Sequence, residues 1–219
     1  KIDVSLIIKI CRRGVPEAVT QLATPVTALC YNLMLASLVG DIGISTFSVL
    51  SFIFSLANAI LSGVAQGLQP LWGHCCGKGN TRDMGWYFYC GLLINSILSV
   101  LIYGVLFFFD RAVIRIFSSS ADLVQAASAA LPLFSLSFIP MALNLIYTAF
   151  LFSTKRTEAA NIVAISRGIV IKALAIFCIP VVFGSGSIWI APFAAEIVTL
   201  ALAVRLCREN GKKDQIFKK

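Results

Sequence analysis

Charge is what this 219-residue chain has least of: 13% of its residues are Asp, Glu, Lys or Arg, against 58% that are hydrophobic. A water-soluble domain carries about 25% charged residues, so a soluble globular protein is excluded. Histidine is almost missing, with His74 the one copy. A Ser/His/Asp or Cys/His catalytic array therefore has no material here, and we read no enzyme. Regular alternation of polar and apolar residues is also lacking, which leaves a membrane β-barrel without support. The seven cysteines are odd in number and scattered, so they outline no disulfide framework. His74-Cys75-Cys76 has no second ligand pair at a suitable spacing, and no metal site is expected. Gly77-Lys78-Gly79 is too short for a phosphate loop, and no cofactor is expected.

Six long apolar runs fill the chain instead: residues 15–39, 42–72, 84–109, 121–152, 159–183 and 188–204. Each reaches or exceeds the lower end of the about 17–25 residues with which a helix crosses a bilayer. The expected fold class is all-α, a polytopic integral membrane protein with a six-transmembrane-helix bundle forming a single lobe over residues 1–219. The chain opens on Lys1 rather than Met, and a fragment or processed product of something longer is expected.

The charges that do occur collect between the runs. Fourteen of the eighteen Lys and Arg residues fall before the first run, between the second and third, between the fourth and fifth, or after the sixth. With six crossings those places share one side of the membrane. The other side receives Gly40-Asp41, a segment at 110–122 with only Arg111 and Arg115 as cations, and an uncharged turn at 184–187. This is the positive-inside pattern, so both termini are expected in the cytoplasm of a plasma (inner) membrane. The formal charge of +8 then reads as a topology signal at an anionic leaflet, not as a nucleic-acid surface.

Local signals refine the picture. The second run ends in a Gly-rich basic loop from His74, with Thr81 or Asp83 capping the next helix. Arg111–Phe117 is amphipathic enough for a short surface helix. Prolines lie inside several runs, and Pro132 and Pro140 are expected to bend or unwind the fourth. Broken helices beside a cavity are common in transporters, although proline is also frequent in membrane helices generally.

Two ionisable residues inside the apolar runs are the main candidates for function. Lys172 lies ~21 Å along the fifth helix from its start near Glu158, and Glu196 lies ~13 Å down the sixth from the turn near Ser187, at 1.5 Å per residue. Both fall near mid-membrane, where an ionisable group is costly unless paired or wetted. They form either a charge site for a proton, cation or substrate, or a structural ion pair. Lysine favours the ionised carboxylate, which suits the second reading. Arg167 lies closer to the cytoplasmic end, where its stem can snorkel, and is read as structural. Uncharged polar residues also recur within the runs: Gln21, Asn32, Asn58, Gln66, Gln69, Asn95, Asn144 and Tyr147. Asn144 and Tyr147 are one turn apart on the bent fourth helix and share a face that could line a cavity; bonding between helices is the alternative.

The end of the second helix, Gly63-Val-Ala-Gln66-Gly67-Leu-Gln69-Pro70 followed by Gly77-Lys-Gly-Asn80, resembles the close of the second helix in the C-terminal lobe of multidrug and toxic compound extrusion (MATE) transporters. Gly14-Val-Pro16, Asn32 followed by Gly40, Ser166-Arg167-Gly168, Gly186-Ser-Ile-Trp189 and Ala191-Pro192 look like other parts of that lobe, in the same order. The resemblance covers nearly the whole chain. It implies one half of a twelve-helix, two-lobe protein. Such a protein exports drugs or organic cations in exchange for sodium ions or protons by alternating access. It also implies, as partners, the lipid bilayer, a small amphipathic or cationic substrate, and a missing N-terminal lobe or a second copy of this chain. Where some family members hold a cation-binding glutamate in the first helix, this chain has Thr24. Lys172 stands where an apolar residue is expected. A lipid or polysaccharide flippase of the same wider superfamily is the alternative, and a non-transporting scaffold or channel subunit is a further one. A flippase calls for a strongly basic cavity, and a channel for a ring of like charges.

Overall fold

The computed structural model describes residues 22, 25–154 and 156–213. Among them all regular structure is helical. The elements are α1 (Pro25–Leu38), α2 (Asp41–Lys78), α3 (Thr81–Phe108), α4 (Asp110–Arg115), α5 (Ala121–Ser135), α6 (Phe138–Ser153), α7 (Thr157–Ile165), α8 (Ile171–Phe183) and α9 (Ala191–Lys213). A π-helical turn, Ser166–Val170, joins α7 to α8, and a 3-10 turn, Ser185–Ile190, leads into α9. Four spans are long and apolar enough to cross a membrane, and the bent pair α5–α6 makes a fifth. α1 is a shorter apolar helix, and the start of the first run, with Glu17, Gln21 and Thr24, lies outside the described residues.

The chain is built for lipid, with polar groups inside and apolar ones outside. On α3, Asn95 and Ser99 are fully buried, whereas Leu93, Ile97 and Leu101 are exposed. The Asn95 amide donates to the Ala142 carbonyl of α6 at 2.7 Å, joining two helices where no water is at hand. One turn away, α3 and α2 meet at Gly91, where a Cβ would stand 2.5 Å from Leu68 Cδ1.

α2 has 38 residues, or ~57 Å at 1.5 Å per residue, far more than the ~30 Å hydrocarbon core. It continues through His74, Cys75, Cys76 and Gly77 to Lys78, so the expected loop from His74 is helix instead. It stops because Gly79 takes the left-handed conformation, φ 69°, and its N–H turns back to the last carbonyls. The cap of α3 is neither Thr81 nor Asp83. It is Asn80, whose Oδ1 accepts from the Asp83 N–H at 3.2 Å while its Nδ2 donates to the Asp83 carboxylate at 2.6 Å. The surface helix expected at Arg111–Phe117 forms as the short α4, Asp110–Arg115, anchored by the buried Ile114 and leaving Ile116 exposed beyond its end.

The fourth run breaks between its two prolines, and α5 and α6 meet at 42°. Pro140 has no N–H for the Leu136 carbonyl. Ile139 N–H bonds that oxygen instead, at 3.4 Å, and Ser137 N–H bonds Phe134 O at 3.2 Å. Bonding thus tightens from four residues back to three across the break.

Two apolar cores stack end to end. One gathers Leu50, Ile53, Phe134, Phe138, Met141, Ile176 and Ile188. The other gathers Trp72, Phe88, Ile146, Phe150, Val163 and Ala203. On α6 they meet on either side of Asn144. On the fifth span they flank Arg167 and Lys172, and on the sixth they flank Glu196. Three helices therefore bring their polar residues to one level, midway through the bundle.

Candidate functional site

Glu196 is the hub of that level, with 2% of its side chain exposed. Arg167 Nε donates to both carboxylate oxygens, at 3.2 and 3.0 Å. Lys172 Nζ stands 3.5 Å from Oε1. Asn144 Nδ2 donates to Oε2 at 2.7 Å and to the Glu196 backbone carbonyl at 2.9 Å. One carboxylate is held by three side chains from two other spans, as a charge in a low-dielectric interior requires.

The π turn explains why two cations reach one carboxylate. In an unbroken α-helix, residues 167 and 172 would point about 140° apart, at 100° per residue. The π turn at Ser166–Val170 absorbs one extra residue, leaving Arg167 and Lys172 on nearly one face. Thr27 of α1 braces it, its Oγ1 donating to the Gly168 carbonyl at 3.2 Å.

Beside this cluster lies a cavity of about 520 Å³, bordered by Arg167, Lys172 and Gly168 on one side and by α2 on the other. α2 contributes a polar stripe, Ser51, Ser55, Asn58, Ser62, Gln66 and Gln69. Its spacing of three and four residues holds it to one face over ~27 Å. Phe52, Leu56 and Ile60, on other faces of α2, are exposed, as lipid contact demands. Tyr31, Phe47, Phe54, Phe134 and Phe152 add aromatic wall, and Lys172 Nζ sits 5.5 Å over the Phe54 ring.

The site residues read from the sequence divide accordingly. Glu196, Lys172 and Asn144 come together. Arg167, read as a snorkelling structural charge, turns inward and is the nearer cation to Glu196. The cavity-facing side of α6 carries Leu145, Thr148 and Ala149, not Asn144 and Tyr147. Asn144 is turned to Glu196, and the Tyr147 ring packs edge-on against Phe88, with centroids 5.2 Å apart. Asn32 is half-buried and does not border the cavity. Of the helix-end motif, Gln66 and Gln69 border the cavity, while Gly67 and Pro70 are exposed. Pro70 lacks the N–H that would bond the Gln66 carbonyl. The serines of the α2 stripe carry a helical-period signal that the sequence reading passed over. Among the described residues no group of three or more His, Cys, Asp and Glu side chains could hold a metal ion.

The family model described as MatE matches residues 16–178. The chain belongs to the MatE family. It is also similar to the multidrug export protein MepA of Staphylococcus saprophyticus subsp. saprophyticus, 26% identical over 213 residues, which is 96% of this chain and 47% of that protein. Two solved structures share its fold. An outward-facing multidrug resistance MATE family transporter of the MOP superfamily superposes with a TM-score of 0.88, at 16% identity, over 98% of this chain and 49% of that one. An inward-facing one superposes with a TM-score of 0.87, at 15% identity, over 100% of this chain and 51% of that one. The chain thus spans about half the length of the relatives it matches.

Proposed function

We propose that this chain forms one lobe of a secondary active transporter, which exports amphipathic drug-like molecules across the plasma membrane in exchange for sodium ions or protons. The observation that carries the reading is the polar stripe of α2 facing a cavity of about 520 Å³ inside an otherwise lipid-adapted bundle. A merely structural bundle has no use for a continuous polar face ~27 Å long, the depth of the hydrocarbon core. The aromatic walls would take the apolar body of a substrate and the stripe its polar groups.

Alternating access would move this lobe against a partner lobe, either an N-terminal one or a second copy. The near-equal superposition on outward-facing and inward-facing relatives supports rigid-body motion, since the lobe fold is common to both states. Glu196, bonded from two other spans, would keep those spans together as the lobe rocks. Both termini would lie in the cytoplasm.

The test is efflux of a fluorescent amphiphile from proteoliposomes under an imposed sodium or proton gradient. The protein should drive efflux with one gradient and not without it, and Glu196→Gln should lower the rate at least about tenfold by releasing two spans from each other. Efflux no faster than from protein-free liposomes under either gradient would rule out the transport reading.

A further inference from the structure

The charges at the cavity wall do not cancel. Arg167 and Lys172 both border the cavity, whereas Glu196 lies behind them, and no acidic side chain is among the described residues that border it. Two cations against one carboxylate leave a surplus of one positive charge. Its donors are also only partly used. Glu196 engages Arg167 through Nε. The two terminal guanidinium nitrogens bond no described residue, and they are not among the buried atoms without a partner. The Arg167 and Lys172 side chains keep 16% and 19% of their surface exposed, on the side where the cavity lies. The outer edge of a guanidinium is a pre-shaped fork for two oxygens of one anion, and an ammonium beside it supplies a third donor. Glu196 and Asn144 hold both cations in place, so little ordering is needed when an anion arrives.

We propose that Arg167 and Lys172 form an anion receptor in the cavity wall, so that the molecules carried are amphiphiles bearing one anionic group, a carboxylate or a phosphate ester. The inference rests on the transport reading and replaces the organic cation expected of the cargo. A permanent cation entering here meets a net positive wall, because Glu196 offsets one of the two cations from behind and only Phe54 and its aromatic neighbours face the cavity to attract it. An anion meets both charges, and its tail lies on the same aromatic wall.

Three probes with one apolar body separate these cases: pyrenebutyrate, pyrenebutanol and pyrenebutyltrimethylammonium. Each is titrated into the protein in phosphatidylcholine nanodiscs, and saturable energy transfer from tryptophan to pyrene is read over empty discs. Pyrenebutyrate should bind about tenfold tighter than either analogue, as expected for charge-assisted bonds. Lys172→Gln keeps Arg167 and Asn144 on Glu196 and should weaken pyrenebutyrate about fivefold, leaving pyrenebutanol unchanged. Lys172→Arg should retain the preference. Discs containing phosphatidylglycerol identify the source. Competition with pyrenebutyrate means the receptor takes lipid headgroups, and unchanged binding means it takes soluble amphiphiles; both outcomes support an anion receptor. Equal binding of the three probes, tighter binding of the trimethylammonium probe, or a Lys172→Gln protein with its preference intact would overturn the proposal while leaving transport standing. Absence of saturable binding for every probe would overturn both.

Discussion

At the residue scale the molecule turns on one carboxylate. Removing Glu196 leaves Arg167 and Lys172 facing each other without a counter-charge, and Asn144 without the acceptor that orients it. Glu196→Gln should therefore destabilise the protein in detergent by about 3 kcal/mol, the usual cost of breaking a buried pair from one side. Thermal unfolding followed by a thiol-reactive dye would show it as a fall of several degrees in Tm. Tyr31 offers the opposite case. Its ring stacks on Phe47 with centroids 4.5 Å apart, but its buried hydroxyl has no hydrogen-bond partner among the described residues. Tyr31→Phe keeps the stack and removes the orphaned group, so stability should hold or rise by about 1 kcal/mol in the same assay. Much of this scale was legible in advance. Rise arithmetic places Glu196 and Lys172 at mid-membrane because helix rise is nearly constant. It also places Glu196, about 17 Å from the cytoplasmic edge of a ~30 Å core, between Arg167 at ~13 Å and Lys172 at ~21 Å. What sequence spacing does not contain is the π turn, which rotates both cations to one side.

At the scale of the element, breaks in the helices do the positioning. The turn at Ser166–Val170 aims the cations, the bend between α5 and α6 opens room for aromatic wall, and Gly79 ends α2. The run boundaries were readable because hydropathy changes sharply at a membrane edge. The run of the second helix past the hydrocarbon to Gly73 was readable too, but its last turn, His74–Lys78, was not, since that stretch reads as a Gly-rich basic loop and only the left-handed Gly79 marks the stop. The bend, by contrast, follows from Pro140. Pro140→Ala would restore the N–H to the Leu136 carbonyl and straighten the pair. Spin labels at positions 121 and 153 should then move about 3 Å apart, from simple geometry at 1.5 Å rise and a 42° bend. Pulsed electron–electron resonance reads that change, and an unaltered distance would assign the bend to packing instead of proline.

At the scale of the whole molecule, lipid outside and a polar cavity within make one statement. The chain covers its perimeter with Phe, Leu, Ile and Val and keeps its amides, hydroxyls and paired charges inside or facing the cavity. Membership of the MatE family agrees with that arrangement. Labelling in intact membranes separates the two environments most directly. Ser55→Cys faces the cavity, whereas the native Cys178 is exposed on the apolar perimeter of α8. A membrane-impermeant maleimide should label Ser55→Cys, and an amphipathic substrate should slow that labelling, while Cys178 stays unreacted. Ready labelling of Cys178, or no labelling at position 55, would contradict a water-filled cavity inside a lipid-embedded bundle.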